Sequence, residues 1–314
     1  MKMNLLLIFI GIFCLSNIGK ESDSDHQGLK LIVLGNVQDA GSPHAGCKNV
    51  CCKNLFMHPD PDRKVVSLGI LDGLSEKKYL IEATPDLPQQ MKRLFYESGS
   101  KGSEVPDAIF LTHAHIGHYS GLMYLGRESM NSKNVPVYVM PLMKSFLENN
   151  GPWSQLVNLE NITLNELKEG MKLTLSDHLA ITPLKVPHRD EYSETVGFLI
   201  EGEHKKALFI PDIDKWEKWK QNIQVLIKEV DYAFLDATFF DENELPNRKM
   251  SEVPHPFVEE SMTLFDSLPA LERNKIWFIH LNHTNPLLHP NSKASKSVLE
   301  KGYHIARLGD EFDM

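Results

Sequence analysis

Short apolar runs, separated by polar and turn-forming stretches, set the rhythm of the chain. Leu29–Gly35, Val65–Leu71, Tyr79–Ala83, Ala108–Leu111, Val135–Val139, Val196–Ile200, Ala207–Ile210, Tyr232–Leu235 and Ile276–Ile279 are too brief for helices. They carry the β-branched and aromatic residues of buried strands. Segments 164–175 and 179–186 alternate polar and apolar positions, as half-buried strands do. Asp72-Gly73 marks a turn between two of the strands. Helical spacing recurs at Leu87, Met91, Leu94 and Phe95, read as core, behind Thr84-Pro85-Asp86 with its capping side chains and first-turn proline. Tyr119–Met123 starts a second helix, and 141–148 and 215–228 predict two more. Strands come first in series and then alternate with helices. That order predicts an α/β (α+β) chain of two mixed sheets packed face to face with helices outside, as one domain over 27–314.

Position along these strands is the first functional signal. His113, His188, Asp212, Asp236 and His280 each stand just after an apolar run. Side chains gathered at strand ends can converge on one cleft although far apart in sequence. The densest case is Leu111-Thr112-His113-Ala114-His115-Ile116-Gly117-His118. In an extended segment His113 and His115 project to one side, and His118 follows at the helix start. Neutral imidazoles suit zinc and its neighbours, and a catalytic zinc keeps an open position beside three protein ligands. A lone histidine here would be read as a surface or core residue; three at a strand-to-helix junction favour a metal site.

Composition narrows the class. The 314 residues carry a formal charge of -9 and no Lys/Arg run stands out, which argues against a nucleic-acid partner and for a small-molecule substrate. Lys2 precedes the apolar run Leu5–Leu15, too short to cross a bilayer comfortably; residues 1–20 are expected to be a secretory signal cut near Gly19. The mature chain is then periplasmic or secreted with no stable membrane span; an uncleaved anchor is the alternative. Cys14 is no lipoprotein signal, because Ile12-Phe13 before it are bulky.

The remaining cysteines, Cys47, Cys51 and Cys52, are odd in number and crowded, a poor disulfide framework. A thiolate zinc site explains them better than reduced core cysteines, and His283, three residues after His280, is the expected fourth ligand of a closed tetrahedral site. His255 is a loop histidine that can serve as a general acid or lie idle on the surface. Asp236 and Thr238 are candidates to orient a ligand histidine from behind. His44, His58, His178, His204, His289 and His304 lack such context.

The segment from His113 to His118 resembles the H-x-H-x-D-H motif of the metallo-β-lactamase superfamily, with Gly117 in place of the motif aspartate. Val33-Leu34-Gly35 with Asp39–Pro43, Glu82–Asp86, Thr195–Ile200 and Asn282–Pro286 narrow the likeness to the branch of pyrroloquinoline quinone biosynthesis protein B. The cysteine-plus-histidine set resembles that of the phosphonate-pathway cyclic phosphodiesterases. The resemblance implies an αββα fold and bound zinc, with manganese or iron as alternatives at the catalytic centre. It implies that His113, His115 and His188 hold a first metal, that Asp212 bridges to a second, and that His118 and His280 complete the second site. It also makes His255 the general acid. Gly117 offers no donor, so the second metal is expected to bind weakly or not at all. His113 and His115 and the apparent export signal both depart from the biosynthesis proteins and favour a hydrolase. The expected chemistry is zinc-activated water attacking a phosphodiester or ester-like bond, with a homodimer admitted; a non-catalytic metal-binding accessory protein is the alternative.

Overall fold

The computed structural model describes residues 28–100, 102–244, 249 and 252–314. The predicted signal segment lies outside them. The first sheet runs β14-β1-β2-β3-β4-β5-β6 and comprises β1 (Leu29–Gly35), β2 (Ser67–Asp72), β3 (Lys77–Ile81), β4 (Ala108–Phe110), β5 (Val135–Val139), β6 (Ile162–Glu166) and β14 (Glu311–Asp313). The second runs β13-β12-β11-β10-β9-β8-β7 and comprises β7 (Leu173–Thr174), β8 (Ala180–Lys185), β9 (Val196–Glu201), β10 (Lys206–Ile210), β11 (Tyr232–Asp236), β12 (Ile276–Ile279) and β13 (His304–Ile305).

Each sheet begins antiparallel and turns parallel at its later strands, so both are mixed. A parallel neighbour demands a crossover. Helices α2 (Leu87–Glu97), α3 (Ile116–Tyr119), α4 (Pro141–Asn149) and α5 (Trp153–Asn158) supply it on one side, and α6 (Ile223–Glu229), α7 (Val258–Phe265), α8 (Ala270–Arg273) and α9 (Lys293–Glu300) on the other. A single-turn helix, α1 (Val50–Lys53), carries two of the cysteines.

Strand alternation sorts the core into three bodies. Leu31, Val33, Phe110, Phe198, Phe209 and Phe234 fill the space between the sheets. Ile32, Leu34, Ile109 and Val137, on the opposite face of the first sheet, pack beneath Met91, Leu94 and Leu147 of its helices. Leu208, Leu235 and Phe278 do the same for the second sheet beneath Ile227, Phe265 and Val298. The result is the expected helix–sheet–sheet–helix layering.

Three details differ from expectation. The alternating segment 164–175 is not one strand: β6 closes the first sheet and β7 opens the second, so the chain changes layer at 167–172. Gly170, at φ 70°, lies in that crossing. The helix expected over 215–228 is a 3₁₀ turn at Trp216–Lys218 followed by α6, because the Trp216 and Trp219 indoles turn inward to bond Ser261 and the Lys185 carbonyl. Phe95 is half-buried beside the buried Leu94, so the core stripe of α2 is narrower than its spacing suggested.

Candidate metal centre

The predicted histidines are brought together at the ends of the strands that carry them. His113 leaves β4; its Nε2 is 3.3 Å from Asp212 Oδ2, and the His188 Nε2 beyond β8 is 3.2 Å from Asp212 Oδ1. His115 presents Nδ1 to the same carboxylate at 3.8 Å. His113, His115, His188 and Asp212 therefore form one cluster of donors mutually within 4.8 Å. His118, within α3, and His280, just after β12, also approach this carboxylate, their Nε2 atoms 3.8 and 3.9 Å from Asp212 Oδ2. Asp212 is shared by that cluster and a second one of Asp212, Asp236, His255 and His280, while His118 and His280 group with Asp39.

Two matched devices aim the rings. The Thr112 hydroxyl donates to Glu82 Oε1 at 2.5 Å and accepts from the His113 Nδ1–H at 2.8 Å, which leaves Nε2 as a free lone pair. Glu82 also accepts from His118 Nδ1–H at 3.1 Å, which turns the Nε2 edge of that ring toward Asp212. In the second sheet the Thr238 hydroxyl donates to Asp236 Oδ1 at 2.7 Å and accepts from His280 Nδ1 at 2.8 Å. Carboxylates behind ligand histidines fix tautomer and orientation. Glu82 and His280 both hold left-handed backbone, with φ of 76° and 66°. For residues with a side chain this costs about 1–3 kcal/mol each and persists only where the surroundings impose it.

Charge in the metal-free cluster is polarised. Burial, aided by repulsion from other imidazoles, drives the His113 pKa well below the usual histidine value; His188 falls to about 4, burial again leading. For His118 and His255 burial is outweighed by carboxylates, Glu82 for the one and Asp236 for the other, and both rise to about 9. Asp212 is held well below the ordinary carboxylate range because His188, His255 and His280 overcome its burial.

His255 is no surface residue. It is buried, with Nδ1 2.9 Å from Asp236 Oδ2 and 3.2 Å from Asp212 Oδ1.

The donor set fits a metal by its own polar accounting. Buried polar atoms are nearly always paired. Here His113 Nε2, His118 Nε2, both ring nitrogens of His188, His280 Nε2 and Asp212 Oδ1 are buried and make no hydrogen bond. Four of these six, the Nε2 atoms of His113, His118, His188 and His280, face Asp212, a borderline-soft set suited to zinc and similar ions.

A second cluster lies in the loop after β1. Cys47, Cys51, Cys52 and His283 bring one donor each within 4.8 Å of one another, and no disulfide joins them. The Cys47–Cys51 and Cys51–Cys52 sulfurs are each 3.9 Å apart. Thiolates on one tetrahedral zinc, at about 2.3 Å, stand about 3.8 Å from each other. His283 bonds Asn282 Oδ1 through Nδ1 at 3.0 Å, leaving Nε2 for a metal, and burial holds its pKa down at about 4. Cys47 and Cys51 are only half-buried, which removes the reading of the three as core thiols. His44, given no role from the sequence, packs its ring against that of His283, tilted 36° with centroids 4.4 Å apart, and its backbone N–H donates to Cys52 Sγ.

Two residues of the centre carried no assignment from the sequence. Glu82, the buried anchor of Thr112 and His118, ends an apolar strand just as the predicted ligands do, so the strand-end rule extends to it. Asp39 lies in a loop, where that rule gives no signal, yet it groups with His118 and His280.

A family model described as a beta-lactamase superfamily domain matches residues 77–281. Coenzyme PQQ synthesis protein B of Methylorubrum extorquens is 24% identical over 309 residues, covering 91% of this chain and all of that protein. The structure of zinc-bound PqqB from Methylobacterium extorquens superposes with a TM-score of 0.72 at 19% identity, over 91% of this chain and 100% of that one. A diphosphatase of the PhnP family gives 0.63 at 20% identity, over 91% and 97%. With the family model spanning most of the described chain, this protein belongs to the metallo-β-lactamase superfamily.

Proposed function

We propose that this chain is a zinc-dependent hydrolase acting on a phosphodiester or ester-like bond of a small anionic substrate. The observation that carries it is the convergence of buried, unpartnered imidazole nitrogens around Asp212. His113, His115 and His188 would hold one metal, His118 and His280 a second, with Asp212 between them. Zinc in such a site lowers the pKa of a water to about 7 and acts as a Lewis acid toward the scissile group. Asp212 would orient the attacking water, whose proton would pass to solvent. The Asp236 and Asp212 carboxylates outweigh burial and hold the His255 pKa up at about 9, and with Nδ1 committed to Asp236 its Nε2 would protonate the leaving oxygen. Arg189, whose Nη2 lies 3.5 Å from His115 Nε2 and which is exposed, would receive the negative charge of a phosphodiester.

The test is turnover of phosphodiesters, lactones and β-lactams by metal-stripped and zinc-reconstituted protein, beside His115→Ala. Zinc-dependent phosphodiester cleavage that the substitution lowers at least about 100-fold supports the assignment; unchanged turnover in His115→Ala sinks it. The second reading is a metal-binding accessory protein, favoured by end-to-end similarity to proteins named for coenzyme PQQ synthesis. Absence of metal-dependent turnover across the panel selects it. We further infer export from the Leu5–Leu15 run. A mature N-terminus near Gly19 in protein recovered outside the cytoplasm supports that, and an intact Met1 there contradicts it.

A further inference from the structure

We infer that Asp39 supplies the carboxylate of the second metal site that Gly117 lacks, entering from a different part of the chain but from the same point in space. The inference rests on the reading of the histidine cluster as a metal centre. A Cβ built on Gly117 would stand 1.8 Å from the Asp39 Cβ and 2.2 Å from its Cα. The two side chains would thus start from almost one position, and only one of them can exist. Gly117 sits in α3 without a positive φ, so its glycine is demanded by this close approach, not by backbone conformation.

The Asp39 carboxylate is where a ligand is wanted. Its Oδ1 is 3.9 Å from His280 Nε2, and Asp39, His118 and His280 offer donors all within 4.8 Å of one another. Both histidines present buried Nε2 atoms with no hydrogen-bond partner, an independent sign of an ion between the three. The loop is held for the purpose. Gln38 N–H donates to the Leu281 carbonyl at 2.9 Å, and Leu281 N–H donates to the Asn36 carbonyl at 2.7 Å, so residues 36–38 are laced to the backbone just beyond His280. Asn36 Nδ2 adds a 2.7 Å bond to the Ala306 carbonyl, and the Gln38 amide donates to Asp39 Oδ1 and fixes its rotamer. A residue 78 positions before Gly117 therefore reaches the ligand position with its backbone already ordered.

The experiment compares wild type, Asp39→Asn, Asp39→Gly, Gly117→Asp and the exchange variant Asp39→Gly/Gly117→Asp. Zinc per chain is read by elemental mass spectrometry. Affinity of the weaker catalytic-centre metal is read by calorimetric titration, and the environment by cobalt absorption. Asparagine keeps the shape and the Gln38 contact, so a merely structural role would survive it. Asp39→Asn is expected to weaken the second centre metal by roughly 100-fold or more, since even a partner behind a ligand is worth about 10–100-fold. The first metal should remain. Gly117→Asp alone should lower the melting temperature without tightening binding, and the exchange variant should regain most of the affinity lost in Asp39→Gly. Two centre metals bound as tightly in Asp39→Asn as in wild type, an exchange variant no better than Asp39→Gly, or a wild-type centre with one metal only would each overturn the inference. A wild-type protein with no metal in the histidine cluster would instead remove the metal-centre reading itself, and the inference with it.

Discussion

Glu82 shows how much of the centre depends on residues that would touch no metal. Fully buried, it receives hydrogen bonds from Thr112 and His118 and so governs the direction of two ligand rings at once. Glu82→Gln keeps the volume but removes the charge. It is expected to lower metal affinity about 10–100-fold with the fold intact, as measured by zinc titration and circular dichroism. Gly117→Ala tests the opposite kind of constraint. The added methyl would overlap the Asp39 Cβ and backbone, so the loop must shift, and a loss of at least about 1–3 kcal/mol in denaturant unfolding is expected. Proton binding at single residues also gives the metal-free protein a signed pH profile. His118 and His255, raised to about 9, bind more protons folded than unfolded, so their contribution is complete below about 6.5 and is lost as pH rises toward 9. His188, lowered to about 4, does the reverse: its neutral folded form costs stability as pH falls from about 6.5 toward 4. Denaturant unfolding of zinc-stripped protein should therefore show a maximum near neutral pH and decline on both flanks; a monotonic profile contradicts this charge arrangement.

Among the elements, strands were the legible part and their sheet membership was not. The apolar runs gave β1 to β5 and β9 to β12 close to their observed bounds, because a buried strand is written as a short continuous apolar stretch, and the alternating segment 179–186 gave β8. Segment 164–175 misled because alternation reports one buried face but not which sheet provides it. The two-residue β7 and β13 and the short α8 are too brief to leave any periodic signal. The ligand histidines were readable because His113, His188 and His280 follow strands and His115 and His118 keep close spacing to His113, and Asp39 was not, because its position depends on the pairing of a loop with Leu281 across the molecule. The cysteine cluster acts at this scale. It ties the loop that follows Asp39, including α1, to His283, three residues beyond His280. Cys47→Ser/Cys52→Ser should lose one zinc per chain and make the 40–60 segment markedly more susceptible to limited proteolysis. Unaltered cleavage in that segment would mean that the cysteines do not order it.

At the scale of the whole molecule, two mixed sheets deliver their strand ends to one place, and the centre is assembled from both. His113, His115, His118 and Glu82 come from the first; His188, Asp212, Asp236 and His280 come from the second. No helix among the described residues is long and apolar enough to cross a membrane. Arg189 stands beside His115, with Glu191 3.9 Å away. Arg189→Ala is expected to raise KM for a phosphodiester about tenfold, the worth of one charge-assisted hydrogen bond, and to spare an uncharged ester. Equal effects on both substrates would remove the phosphate-binding role. The central claim, that the histidine cluster is an occupied metal centre separate from the cysteine site, is tested most directly by metal content per chain in wild type and in Cys47→Ser/Cys52→Ser. The account predicts that the variant loses one zinc and retains the metals held by the histidines. A variant that carries no metal would contradict it.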